Sequence, residues 1–164
     1  ARTEGATSIA TTRTAAKKAE LLALGANHVI VTDEEDLVAR VGEITAGKGA
    51  RVIFDPVAGK GLEALANAAS FGATLIEYGS LAGTTTPFPL FAALSKSLEI
   101  RGYTLFEVAS NPDAFAKAKK YVYDHLAAGN FKPRIDKIFP FAQIVEAHRY
   151  MESNQQIGKI VVTI

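Results

Sequence analysis

Two stretches of this sequence carry residue types that could grip a phosphorylated ligand. The first is Gly59-Lys60-Gly61-Leu62-Glu63-Ala64, a G-x-G-x-x-A pattern at a helix start behind the β-rich run RVIFD at 51–55. Glycines so spaced let backbone N–H groups approach a pyrophosphate at a helix N-terminus. Glu77, ending the next β-rich run, stands near where a ribose-binding acid would be looked for. The spacing argues against this reading. In that fingerprint the first glycine comes directly off the strand, whereas Pro56, Val57 and Ala58 intervene here and two strand-like runs already precede the unit. Among 13 glycines such a match is weak, and a loop with close helix packing is the better account of it.

The second stretch is Thr11-Thr12-Arg13-Thr14, with Lys17 and Lys18 just beyond. At the end of this strand a dinucleotide-binding fold that prefers the unphosphorylated cofactor carries an Asp or Glu for the ribose hydroxyls. No acid stands here. Hydroxyls and cations occupy the place, and Arg13 and Lys17 would favour a phosphorylated ribose through charge-assisted contacts. A solvated helix start with ordinary surface cations accounts for the same residues, and spacing alone leaves both readings open.

The remaining chemistry-bearing residues read as structural. His28, His125 and His148 are scattered over different elements and make no ligand set. Asp33-Glu34-Glu35-Asp36 reads as helix capping, with Asp33 as the cap. Asp55 reads as a buried anchor at a strand end. Ser80 lacks a G-x-S-x-G elbow and an arranged histidine, which argues against nucleophilic hydrolysis. The chain has no cysteine, so it forms no disulfide and no thiolate metal site.

The elements that must position these residues alternate regularly. Strands are expected at 7–12, 28–31, 51–55, 73–78, 98–103, 134–139 and 159–164. Helices are expected at 14–24 (Thr14 as cap, Gly25 past the end), after Asp33, at 61–70, after the loop 83–89, from Asn111 and Pro112 to Gly129, and near 142–152. The long helix would bury Phe115, Ala118, Val122 and Leu126. This alternation predicts an α/β fold, a doubly wound parallel sheet covered on both faces. At 164 residues, 48% hydrophobic and 21% charged, the chain has an ordinary globular balance. A net charge of +1 leaves no footprint for nucleic acid, and no apolar run reaches the length of a membrane span. Nothing resembles a signal peptide, so the cytoplasm is the expected compartment.

TSIATTRTAAKKAELLALGANHVIVTDEEDL resembles the second strand, helix and third strand of the zinc-type alcohol dehydrogenases and NADPH quinone reductases, the medium-chain dehydrogenase/reductase family. RVIFDPVAG and GATLIEYGSLAG resemble that family's next two strands, SLEIRGYTL its last sheet strand, and FPFAQIVEAHRYMESNQQIGKIVVTI its C-terminal segment. The likeness runs nearly end to end in consistent order.

It implies a Rossmann-type sheet lacking its first strand and glycine loop. Residues 1–130 would be the truncated dinucleotide-binding domain, and 131–164 a segment returning toward a substrate domain that precedes Ala1. The implied activity is NADP-dependent hydride transfer to a quinone, enone or carbonyl compound. A zinc-dependent alcohol dehydrogenase fragment and a non-catalytic nucleotide-binding or dimerisation module are the alternatives. The implied cofactor is NADP(H), with Lys17 at the 2′-phosphate and Thr12 and Arg13 on the same loop. Val57 and Ala58 would lie under the adenosine ribose and pyrophosphate, and Tyr78, Gly79 and Ser80 would line the nicotinamide side. Thr32 and Asn154 replace a stacking tyrosine and a phosphate-binding arginine of some members, while Lys159 matches a recurrent G-K. No residue is assigned a catalytic role, zinc is not expected on this chain, and the isolated chain is expected to be inactive. A homodimer is implied through the edge strand from Leu98 to Tyr103. The absent first strand would leave a gap between the strands 7–12 and 51–55, so that the lost segment is expected from a separate chain, or the chain is a proteolytic remnant.

Overall fold

The computed structural model describes the backbone of residues 1–164 and every side chain except that of Arg2. It forms two compact units, Ala1–Asn111 and Pro112–Ile164.

The first unit runs β1 (Ile9–Thr12), α1 (Lys18–Ala23), β2 (His28–Val31), α2 (Leu37–Ile44), β3 (Ala50–Asp55), α3 (Gly61–Ala68), β4 (Ala69–Glu77), α4 (Leu90–Lys96), β5 (Glu99–Gly102) and a short α5 (Phe106–Ala109). Every strand pair is parallel. β1 bonds only to β2, while β3, β4 and β5 form a separate sheet in that order. β1 and β3 do not pair, so each keeps an open edge. This is a doubly wound arrangement with the gap the sequence led us to expect.

Two apolar clusters hold this unit. Ile53, Leu62, Ala66, Ala73, Leu75 and Ala92 pack α3 and α4 against the larger sheet. Ile30, Val41 and Ala68 pack β2, α2 and α3 together, with Ile9 and Ala50 at the margin, and so tie the two sheets to each other. Burying a side chain such as Leu75, fully enclosed here, contributes roughly 1.5–3 kcal/mol. The other face of the larger sheet differs from expectation. Val52 and Phe54 alternate with the buried Ile53 and Asp55, and remain 50% and 67% exposed. Among the described residues nothing covers that face fully.

Local starts and stops also depart from the sequence reading. The helix expected over 14–24 opens as a 3-10 turn (Ala15–Lys17), and Thr14 is extended but makes no side-chain cap bond. Gly25 follows α1 at φ +104°, a conformation that costs glycine little. Asp36, not Asp33, caps α2: its side chain accepts from the Ala39 N–H at 2.8 Å. The Glu34 and Glu35 N–H groups both donate to the Val31 carbonyl. That turn uses up the acidic run before the helix can begin.

The second unit comprises α6 (Pro112–Ala127), β6 (Ile135–Pro140), α7 (Ile144–Glu152) and β7 (Lys159–Thr163). β6 and β7 are parallel, with Phe139 and Ala147 buried. Tyr150 donates to Asp136 Oδ2 at 2.7 Å, fixing α7 against β6. The face expected to be buried on α6 is only partly covered: Ala118 and Leu126 are half-buried, Phe115 and Val122 are 44% and 43% exposed, and no residue of the helix is fully buried.

Candidate functional site

In open α/β sheets, ligands collect outside the carboxyl ends of the strands. The candidate residues fall at three such ends, those of β1, β3 and β4. Thr12 closes β1, and its hydroxyl donates to the Thr14 carbonyl at 3.3 Å. The Thr12 and Arg13 carbonyls accept from the Thr32 and Asp33 N–H groups, which fixes the exits of β1 and β2 side by side. The Arg13 side chain is exposed and Lys17 is half-buried. Lys18 is committed elsewhere, to Glu35 Oε1 at 3.1 Å.

Glu35 is a hub that the sequence did not single out. It accepts from the Val31 N–H at 2.9 Å, from Lys18 and from Arg40 Nε at 3.0 Å. The Val31 N–H first, then Lys18, hold its carboxyl below the usual range. Arg13 and Lys17 are the other cations at the end of β1. A strand end that carries cations and no carboxylate has the charge to receive a phosphate monoester, while the Thr12 hydroxyl, its proton on the Thr14 carbonyl, can only accept.

The ends of β3 and β4 form a second, tightly sewn cluster. Asp55 is 4% exposed and accepts from the Val57 N–H at 2.8 Å and the Ala58 N–H at 3.0 Å. It is the anchor expected of it. Ala58 is buried at φ +58°, and with its N–H committed it has only its carbonyl and methyl to offer a ligand. Tyr78 N–H donates to the Asp55 carbonyl, Leu81 N–H to Pro56 and Ala82 N–H to Val57. Gly79 is required by close approach, since a Cβ there would lie 2.6 Å from the Pro56 carbonyl oxygen. Tyr78, Gly79 and Ser80 are exposed, and Val57 is 47% exposed, so the stitched turns present one continuous rim.

The G-x-G-x-x-A stretch is part of this stitching. Gly59 N–H donates to Thr86 Oγ1 at 2.9 Å, and a Cβ on Gly59 would lie 2.9 Å from the Ala82 methyl. Its amide is not offered to a phosphate. Glu77 also stands apart from a ribose-binding role: neither carboxyl oxygen is solvent-accessible and neither has a hydrogen-bond partner. It lies in register with Asp55 across the β3–β4 ladder. Burial, then the Asp55 charge, push its carboxyl above the usual range. The two acids share strand phase with the buried Ile53 and Leu75, a sequence signal that could have paired them.

Comparison with known proteins decides the family. The family model for zinc-binding dehydrogenases matches residues 24–162. The chain belongs to the zinc-binding dehydrogenase family. A 2-haloacrylate reductase from Burkholderia is 31% identical over 164 residues, covering 99% of this chain and 49% of that protein. Its kind is also represented by a crystal structure at TM-score 0.88 and 30% identity, covering 99% of this chain and 51% of that one. The Escherichia coli quinone oxidoreductase, crystallised with NADPH, superposes at TM-score 0.90 with 28% identity, over 99% of this chain and 51% of that one. The chain thus spans about half the length of the family members it matches. Despite the family's name, the described residues bring together no group of three or more His, Cys, Asp or Glu able to hold a metal ion. None of the described helices is long and apolar enough to cross a membrane.

Proposed function

We propose that these residues form the cofactor-holding part of an NADP-dependent oxidoreductase that reduces a quinone, enone or carbonyl compound. The observation that carries this reading is the end of β1, where Arg13 and Lys17 stand with Thr12 and the strand bears no acid. Kinship with a quinone oxidoreductase crystallised with NADPH supports it.

In this reading Arg13 and Lys17 hold the 2′-phosphate, with Thr12 beside them. Val57 and Ala58 lie beneath the adenosine ribose and pyrophosphate, and Tyr78, Gly79 and Ser80 wall one side of the nicotinamide. The bound cofactor supplies the hydride. The chain's part is to orient it: the Asp55 turn fixes the floor, and the bonds from Leu81 and Ala82 hold the wall to that floor. None of these residues donates or removes a proton in the transfer.

Residues 1–130 serve the cofactor in this account, and 131–164 return toward a substrate domain. The open edges of β1 and β3, with Val52 and Phe54 exposed beside them, suit a strand and helix from elsewhere in the polypeptide, since unpaired apolar edges seek a partner. β5 is the outer strand of its sheet, and its free edge, within the stretch from Leu98 to Tyr103, suits pairing with a second copy. The test is NADPH oxidation by the full-length polypeptide with a panel of quinones, enones and aldehydes. Turnover on one of these classes supports the reading. Turnover only on primary alcohols, dependent on added zinc, would replace it with an alcohol dehydrogenase.

A further inference from the structure

Glu77 has no task in the function proposed above, yet it occupies a costly place. A carboxylate sealed from water with no donor pays its full desolvation penalty, and a second carboxylate beside it adds repulsion. Both of its oxygens are inaccessible to solvent and unpartnered. Asp55 faces it in register from β3, on the same side of the sheet. Asp55 itself is well provided for, because its two oxygens accept from the Val57 and Ala58 N–H groups.

Among the described residues no cation acts on Glu77. On β5 the residue in register with Glu77 is Gly102. The neighbouring Arg101 is paired with Glu107, and Tyr103 meets Glu77 only through its N–H on the Glu77 carbonyl. The cluster from α3 and α4 on this face consists of Leu62, Ala66 and Ala92, all apolar. Two acids with one set of donors and no cation are satisfied most simply if one of them keeps its proton.

We propose that Glu77 is a positioning residue whose carboxyl stays protonated and donates a hydrogen bond to Asp55, clamping the turn at 56–58 to the turn at 78–80. Asp55 then accepts from both sides: the backbone of the first turn and the side chain that ends β4. Loss of the proton sets two negative charges against each other beneath those turns. The importance of the clamp for cofactor binding rests on the NADP reading; its existence does not. The desolvation that raises the Glu77 carboxyl gives the sign. A group whose folded value is raised contributes stability that is complete below the ordinary glutamate range and is lost as pH rises through the raised value.

The experiment compares the full-length wild type with Glu77→Gln, which keeps a donor and cannot ionise, and Glu77→Met, which removes both. Melting temperature is followed from pH 5 to 9 without cofactor, and NADPH affinity is measured at both ends. The wild type should lose melting temperature as pH rises relative to both variants. Glu77→Gln should bind NADPH as the wild type does at low pH, without weakening at high pH. Glu77→Met should bind roughly tenfold more weakly at every pH, the factor for losing one hydrogen bond to a charged group. The carbon-13 titration of the Glu77 carboxyl reads the same proton with no substitution at all. Identical melting profiles in wild type and Glu77→Gln, or a carboxyl that titrates in the ordinary glutamate range, would overturn the proposal. Absence of NADPH binding at every pH would instead sink the NADP reading, and the melting profiles would still decide the clamp.

Discussion

Substituting Gly79 by alanine tests the stitched rim where its tolerance is least. The backbone of Gly79 lies outside the left-handed region, so the cost comes from space alone. An added Cβ would sit 2.6 Å from the Pro56 carbonyl oxygen, 3.1 Å from its Cα and 3.2 Å from its carbonyl carbon. These are backbone atoms and cannot swing aside. Pro56 is also held, because its carbonyl accepts from the Leu81 N–H at 3.0 Å and the next residue is bonded to Asp55. Overpacking of this kind costs about 1–3 kcal/mol, and a weakened backbone hydrogen bond adds roughly 0.5–1.5 kcal/mol. In a polypeptide about twice this length, a loss of about 2–4 kcal/mol should lower the melting temperature by roughly 3–6 °C. The control is Gly61→Ala, where nothing lies within 4 Å of the new Cβ and the helix start should gain up to about 1 kcal/mol. Thermal melts of the two variants in the full-length polypeptide make the comparison. If Gly79→Ala melts with or above the wild type, the close approach of the two turns is not what the structure describes.

Three further outcomes follow from individual contacts. Asp36→Ala should cost about 1 kcal/mol by removing the cap on the Ala39 N–H, while Asp33→Ala should cost little; denaturant midpoints separate the two. Glu35, held low by the Val31 N–H and then Lys18, should contribute stability above the ordinary carboxylate range that is lost as pH falls below it. Melting from pH 7 to 3 should therefore fall more steeply in wild type than in Glu35→Gln. Val52→Thr and Phe54→Gln, on the exposed sheet face, should leave this chain's stability nearly unchanged but destabilise the full-length polypeptide, if another segment covers them there. Paired melts of the two lengths read this directly.

Much of the fold was legible because parallel strands alternate with helices in a pattern that needs no tertiary information. The strand 28–31 matches β2 residue for residue, and its run of buried positions explains why: a strand covered on both faces announces itself as continuous apolar sequence. The gap between β1 and β3 was legible only through the family resemblance, which implies a first strand between them. Where the helix after β2 begins was not, since four consecutive acidic residues offer several caps and the turn that selects Asp36 depends on the Val31 carbonyl. The partly covered face of α6 was misread for a related reason. Periodicity reports which residues could be buried, not whether a partner covers them. At the site, Arg13 and Lys17 were visible as charge at a strand end. The pairing of Lys18 with Glu35 was not visible, because the two are distant in sequence. Glu77 was first a candidate for the ribose because it ended a strand after a glycine-rich stretch. Its burial against Asp55, which the ladder register reveals, gives it a different role.

Recognition of a 2′-phosphate by the end of β1 is read from the ratio of NADPH to NADH affinity in the full-length polypeptide. In wild type NADPH should bind more tightly by about tenfold or more, the factor for one charge-assisted contact. Arg13→Ala combined with Lys17→Ala should bring the ratio close to unity by weakening NADPH and leaving NADH unchanged. A wild type that prefers NADH, or a double variant that weakens both cofactors equally, would contradict the assignment of these two cations.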